Sequence, residues 1–276
     1  MITHISVNDF KAVPYLDTST LMQSHPKGIS FSKTKPNIII GQNGAGKSAL
    51  LKALALHTMS FYTGRSSLDK NYLNNEYWTS TSSWRRESNK YLEGLSVKSD
   101  MAPALFYRPG FLPGDEIGLT HAMMCGYPSE ARNHGAMIDK KSSGQQGLAL
   151  LEEISGILSG ANIAPDRYRC TNWDYGITPN EIKNDRFTGA RDYQVKILKE
   201  AAAPRDGSAP VLMMDEPEQS LDALAEAQLW KLIENADCKK MQIIVSTHSV
   251  YPLMHQKKFN LIEATPDYVA DVLKLL

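Results

Sequence analysis

The stretch that decides the fold is Gly41-Gln42-Asn43-Gly44-Ala45-Gly46-Lys47-Ser48, which matches the phosphate-binding pattern G-x-x-x-x-G-K-[ST]. A short apolar run with β-branched residues, 36–40, precedes it, as expected for a buried strand. Helix-forming residues follow from Gly46 to Leu56, with several leucines on one face. The sequence therefore predicts a strand, a glycine-rich loop and a helix, in that order.

This arrangement, a P-loop, suits ATP bound together with Mg²⁺. Glycines let backbone N–H groups converge on the phosphates, and the helix N-terminus adds the positive end of its dipole. We predict that Lys47 reaches the β- and γ-phosphates and that Ser48 binds Mg²⁺ through its hydroxyl. The loop residues predicted to bind ATP are Gly41, Asn43, Gly44, Ala45, Gly46, Lys47 and Ser48.

A second apolar run, Val211-Leu212-Met213-Met214, ends in two carboxylates, Asp215 and Glu216. Asp215 at the tip of a buried strand suits Mg²⁺, so we predict Ser48 and Asp215 as the metal-binding residues. Glu216 is predicted to be catalytic, because a hydrolase needs a base that orients or deprotonates the attacking water near the γ-phosphate. Pro217 ends the strand.

Further motifs appear in the order that one class of P-loop ATPases uses. Residues 141–145 match the usual signature Leu-Ser-Gly-Gly-Gln at Ser142, Gly144 and Gln145. Residues 218–222 resemble the D-loop, with Asp222 in the last position. His248 follows the apolar run 241–246 and resembles the switch histidine. Together these motifs resemble the ATP-binding-cassette (ABC) class over nearly the whole chain.

The resemblance implies an assembly as well as an activity. In the ABC class two subunits sandwich two ATP molecules, and the signature loop of each subunit completes the P-loop site of the other. It implies a homodimer or higher oligomer in which Ser142, Gly144, Gln145 and Asp222 contribute to ATP binding and His248 is catalytic. The implied fold is α/β, a P-loop NTPase with a mixed or parallel sheet, flanking helices and a small helical signature subdomain.

Three departures from the class pattern affect what is expected. Lys141 and Ser143 replace the usual leucine and first glycine of the signature. Residues 51–141 contain no glutamine, although the class places there the Q-loop residue that contacts the metal and a partner domain. The long separation between Ser142 and Asp215 predicts an insertion at residues 160–206.

Composition limits the remaining choices. With 276 residues and 42% hydrophobic content, we predict a single domain over 1–276, with a variable, signature-side lobe at 60–141. The formal net charge of zero does not indicate a general nucleic-acid-binding surface, although it is compatible with a local basic patch. No apolar stretch approaches the ~18 residues of a membrane span, and the N-terminus does not resemble a secretion signal. Three cysteines without pair or metal spacing favour a cytoplasmic protein.

The expected elements follow from apolar patterning and turn residues. We expect an edge strand at 2–7, an irregular lobe or loop at 60–100, and a closing helix that opens at Thr265-Pro266. The other expected strands lie near 28–32, 36–40, 102–107, 211–214 and 241–246, and the helices near 46–58, 144–158, 189–202 and 220–236, with one more within 111–141. Aromatic candidates for stacking on adenine are Phe10, Tyr15 and Phe31, each of which is equally well explained as core.

Three hypotheses remain for the purpose of the ATPase. The first is a compact ATPase resembling the RecF, SMC and overcoming-lysogenization-defect branch, which regulates a separate effector such as a nuclease or toxin in anti-phage defence, or acts in DNA repair. The second is the nucleotide-binding subunit of a membrane transporter, which the missing Q-loop glutamine disfavours. The third is a nucleotide sensor without hydrolysis, which the presence of both Glu216 and His248 disfavours.

Overall fold

The computed structural model describes residues 1–8, 16, 18–58, 61–62, 94–100, 102, 104–107, 151–152, 154–156, 158–159, 209–219 and 221–276. Three predicted features lie outside this part of the chain: the signature residues Ser142, Gly144 and Gln145, the insertion 160–206, and the helices expected within 111–141 and at 189–202.

The described elements follow one another as strands and short helices. In chain order they are β1 (Ile2–Val7), α1 (Thr20–Ser24), β2 (Ile29–Ser30), β3 (Asn37–Ile40), α2 (Lys47–Thr58), β4 (Phe61–Tyr62), β5 (Leu95–Ser99), β6 (Ala104–Tyr107), β7 (Val211–Asp215), α3 (Ala223–Asn235), β8 (Gln242–Thr247), α4 (Tyr251–Met254), a 3-10 turn (Gln256–Lys258), β9 (Asn260–Glu263) and α5 (Tyr268–Leu273). The described residues from 151 to 158 are also helical.

A parallel sheet with the order β4-β6-β7-β8-β3-β9 forms the centre of the described structure. Every residue of β3, β7 and β8 is buried, which explains why these strands read as nearly continuous apolar runs. Because all neighbours are parallel, the carboxyl ends of the strands meet at one edge. The P-loop after β3, the carboxylates of β7 and the polar residues after β8 therefore come together.

A separate antiparallel sheet has the order β2-β1-β5. The predicted edge position of residues 2–7 is wrong, since β1 lies between its two partners. The amide side chain of Gln242 links the start of β8 to this sheet: its Oε1 accepts from the Ile2 N–H and its Nε2 donates to the Ile2 carbonyl, both at 2.7 Å. The buried amide of Gln242 thus forms the two hydrogen bonds that a neighbouring strand would form with Ile2, and it satisfies backbone groups that would otherwise be costly to bury.

The structure also corrects the expectation for residues 60–100. Two strands lie within this segment: β4 pairs with β6, and β5 pairs with β1. The polar composition of the segment concealed them, because only Leu95 and Val97 mark the inward face of β5. Three further elements, α1, α4 and β9, had no counterpart among the expected ones, and each has six residues or fewer.

Two large apolar clusters pack on the central sheet. One contains Leu50, Leu51 and Leu54 of α2 with residues of β1, and the other contains Trp230 of α3 with Tyr107 of β6. The described residues agree with the expected α/β class, and the central sheet is the parallel alternative of the expected mixed or parallel sheet. Among the residues that the structure describes, no helix combines the length and apolarity that crossing a membrane requires.

Candidate functional site

The loop between β3 and α2 has the backbone conformation that its glycines permit. Gly44 and Gly46 have φ angles of +76° and +100°, which residues with a Cβ rarely adopt. A Cβ at Gly46 would lie 2.5 Å from the Cβ of Ser19, whereas a Cβ at Gly44 would meet nothing within 4 Å. The loop is therefore packed against the residues that open α1 on one side and is open on the other, where Asn43 and Gly44 are exposed.

The Lys47 ammonium is held over the beginning of this loop. Its Nζ donates to the carbonyl oxygens of Gly41 and Gln42, both at 2.9 Å. Only 4% of the residue is exposed, and burial lowers the pKa of its ammonium, while the carboxylates of Glu216, Asp215 and Glu218 act in the opposite direction. A desolvated cation whose hydrogen-bond partners among the described residues are carbonyl oxygens is well suited to take up a phosphate.

The two residues predicted to bind Mg²⁺ are in contact. The Ser48 hydroxyl at the start of α2 donates to Asp215 Oδ1 of β7 at 2.9 Å, and the Ser246 hydroxyl donates to the same oxygen. Asp215 is only 1% exposed. A hydroxyl and a carboxylate are the hard oxygen ligands that Mg²⁺ prefers, so this pair fits the ion.

Glu216 and His248 face each other at the tips of β7 and β8. Their Oε1 and Nε2 atoms are 3.3 Å apart, and each side chain is about one-third exposed, at 34% and 33%. Glu216 has a φ of +49°, and its N–H donates to the Ser246 carbonyl at 2.9 Å. For a residue other than glycine this conformation costs on the order of 1–3 kcal/mol and persists only where the surroundings impose it.

The electrostatic surroundings favour a neutral imidazole. Burial first, and the nearby Lys47 ammonium second, lower the pKa of His248, although Glu216 and Asp215 act to raise it. A neutral ring donates from one nitrogen and accepts at the other. The pair thus consists of a carboxylate and a neutral hydrogen-bonding ring, both partly open to solvent, beside the P-loop.

The other predicted site residues have varied positions. The Asp222 side chain caps α3, accepting from the Ala225 N–H at 2.9 Å. The Ala45 carbonyl accepts from the Leu21 N–H at 3.0 Å, which ties the P-loop to α1. Phe31 is buried in the apolar core, as its alternative interpretation expected, and Phe10 and Tyr15 lie outside the described residues.

Four further polar residues at this edge were missed by the sequence analysis. Glu218 accepts from the Thr247 hydroxyl and from the His248 N–H, and Glu226 accepts from the Ser249 hydroxyl at 2.6 Å. Two features of the sequence could have indicated these residues: the second glutamate of Asp-Glu-Pro-Glu, and the hydroxyl residues on either side of His248. Neither gave a reason to pair them, because the two segments are about thirty residues apart.

Comparison with known proteins finds a match only for the part of the chain that contains the P-loop. A family model described as an AAA domain matches residues 15–98. No curated protein matches significantly, and no solved structure does. The matched region contains β3, the P-loop and α2, whereas Asp215, Glu216 and His248 lie beyond it. Residues 15–98 are therefore similar to an AAA domain, and the strand–loop–helix geometry of residues 37–58 within them is that of a P-loop.

Proposed function

We propose that this chain is an ATP-binding and ATP-hydrolysing ABC-type ATPase that forms ATP-sandwich dimers and regulates a separate effector protein. The observation that carries the proposal is the meeting of three parts at one sheet edge. The glycine loop with Lys47 lies beside the Ser48–Asp215 contact of 2.9 Å, and the Glu216–His248 pair follows on the neighbouring strand tips.

The P-loop side supplies binding. Phosphate oxygens would replace the carbonyl partners of Lys47 and form charge-assisted hydrogen bonds, which are stronger than neutral ones. The open side of the loop at Gly44 leaves room for a ligand next to backbone N–H groups. Ser48 and Asp215 would hold Mg²⁺, which when bound neutralises phosphate charge and polarises the transferred phosphoryl group.

The strand-tip side supplies the chemistry. A water between Glu216 and the γ-phosphate would attack phosphorus and give its proton to the Glu216 carboxylate, while the bond to the leaving ADP oxygen breaks. The His248 ring, held 3.3 Å from that carboxylate, would orient Glu216 and hydrogen-bond to the terminal phosphate. The products are ADP and inorganic phosphate.

Assembly follows from the resemblance to the ABC class. A P-loop and the signature at Ser142, Gly144 and Gln145 in one chain serve different ATP molecules in that class, so ATP would bridge two subunits head to tail. Asp222, six residues after Glu216 in the chain, would contribute from the D-loop position. The compact form and the resemblance to the RecF, SMC and overcoming-lysogenization-defect branch support a role beside an effector in anti-phage defence or DNA repair.

The test is the mass of the protein in solution. We expect Glu216→Gln to become dimeric with Mg·ATP and to stay monomeric without nucleotide, because ligand bound across an interface stabilises it by mass action. Adding Ser142→Arg should block the dimer by placing bulk and charge at the bridging site, while Mg·ATP binding to the single subunit persists. Size exclusion coupled to light scattering measures both. Equal masses of the two proteins under every nucleotide condition would exclude the composite site.

A further inference from the structure

One buried carboxyl group joins the two strand-tip loops of the candidate site. Glu218 lies in the turn that follows β7, two residues after Glu216. Its Oε1 accepts two hydrogen bonds from the end of β8: one from the Thr247 hydroxyl and one from the His248 backbone N–H at 3.1 Å. Its other oxygen, Oε2, is buried without a hydrogen-bond partner among the described residues.

These bonds hold the backbone on which the His248 ring is mounted. Thr247 also accepts from the Ser249 N–H at 2.9 Å, so the three residues 247–249 are tied into one small network. On the other side, Glu218 belongs to a turn in which the Gln219 N–H donates to the Glu216 carbonyl and the Leu221 N–H donates to the Glu218 carbonyl, both at 3.0 Å. The only described side-chain contact that reaches the His248 N–H is that of Glu218.

We infer that Glu218 is a positioning residue, which holds His248 against Glu216 by accepting from the His248 N–H and the Thr247 hydroxyl. The inference rests on the proposed hydrolysis, for which it names a residue that acts without touching ATP. Without this acceptor, no described side chain of the turn after β7 holds the His248 backbone, and the 3.3 Å approach of the His248 ring to Glu216 is no longer imposed.

The geometry also says which property of Glu218 matters. One oxygen of Glu218 accepts both bonds, so the contact requires an acceptor oxygen at this place. Burial raises the pKa of the Glu218 carboxyl, while the hydrogen bonds from the Thr247 hydroxyl and the His248 N–H act to lower it. An amide oxygen can therefore do the same work, and glutamine becomes the diagnostic substitution.

The experiment compares variants of the full chain by steady-state hydrolysis of Mg·ATP. Glu218→Ala and Glu218→Met both remove the acceptor, and Met fills the space if Ala fails to fold. We expect kcat to fall about 10- to 100-fold, because a misplaced histidine removes only part of the rate contribution of a positioned base. KM should stay within about threefold of the parent. Glu218→Gln should rescue most of the lost kcat. Glu226→Ala, which removes a carboxylate from Ser249 in the same loop, is the matched control and should stay within about threefold of the parent.

A second readout does not depend on hydrolysis. In nucleotide-free protein labelled with ¹⁵N, the ring signals of His248, assigned by their loss in His248→Gln, should shift in Glu218→Ala and Glu218→Met and stay in place in Glu218→Gln and Glu226→Ala. If the parent does not hydrolyse ATP, the proposed function fails and these signals alone decide the positioning role. Unmoved signals, an unchanged kcat in the Ala and Met variants of an active parent, or an equal loss in Glu226→Ala would each overturn it.

Discussion

The two sides of the candidate site are built by different means. On the P-loop side the shape comes from the backbone: glycines with positive φ, and a lysine whose partners are the carbonyls of Gly41 and Gln42. On the strand-tip side the shape comes from side chains, with hydroxyls of Ser48, Ser246 and Thr247 donating to buried carboxyl groups. We propose the first side as the binding place of an anion, and the second consists of two carboxyl groups held by hydroxyls.

This difference predicts a division of labour. A cradle of backbone amides and one cation binds phosphate equally well before and during reaction, so its loss should appear in affinity. A carboxylate held beside a neutral imidazole contributes only when a proton moves, so its loss should appear in turnover. Three changes probe this comparison.

The largest expected effect is that of Glu216→Gln on turnover. Glutamine keeps the shape but cannot accept the proton of water, so kcat should fall by about 10²–10⁴, the usual contribution of a positioned base. Phosphate release measures turnover, and calorimetric titration with Mg·ATP should give nearly parental affinity. The exposed Glu152, changed to Gln, is the control for a neutralised carboxylate. Turnover within twofold of the parent would remove Glu216 from the mechanism.

On the P-loop side, Lys47→Ala should lower the affinity for Mg·ATP. Hydrogen bonds to charged groups contribute about 1.5–3 kcal/mol, which corresponds to a loss of Mg·ATP affinity of roughly tenfold to a hundredfold or more. Calorimetry on this variant and on Lys27→Ala, an exposed lysine, makes the comparison. Parental affinity combined with lost turnover would show that Lys47 serves catalysis. It would contradict the idea that the P-loop side acts on affinity and the strand-tip side on turnover.

The smallest expected effect concerns stability and pH. Burial raises the pKa of the Glu218 carboxyl in the folded state. The contribution of this group to the free energy of unfolding is therefore complete below the ordinary carboxyl pKa of 4.5, and it is lost as the pH rises through the raised folded value. Glu218→Gln has no such loss. The melting temperature of Glu218→Gln relative to the parent should therefore increase from pH 4.5 to pH 8, on the order of a few degrees.

Thermal unfolding scans of both proteins at several pH values measure this difference. Other groups near Glu218, namely Glu226, Glu216, Lys47 and His248, are present in both proteins, so their titration largely cancels. A relative melting temperature that is constant or falls with pH would mean that folding does not raise the pKa of the Glu218 carboxyl.

The long apolar strands were predictable because each is a self-contained pattern. Residues 38–40 and 211–214 are continuous apolar runs that end at a glycine or at carboxylates, and these marks set the strand boundaries to within two residues. Strand β9 is as short as β3, but it has only two apolar residues, Leu261 and Ile262, and no motif follows it. The pairing of β1 with β5 was not predictable either, since nearly a hundred residues separate them and backbone hydrogen bonds are the same for any partner.

The candidate site also has a part that the local sequence pattern predicts and a part that only the tertiary structure decides. Gly44, Gly46, Lys47 and Ser48 are recognisable in the chain alone, because the left-handed backbone and the contacts with phosphate demand these residue types at a constant spacing. The approach of Glu218 to His248 belongs to the tertiary structure. It exists only because β7 and β8 are parallel neighbours in register, Asp215 opposite Ser246, so that two loops distant in sequence leave the sheet side by side.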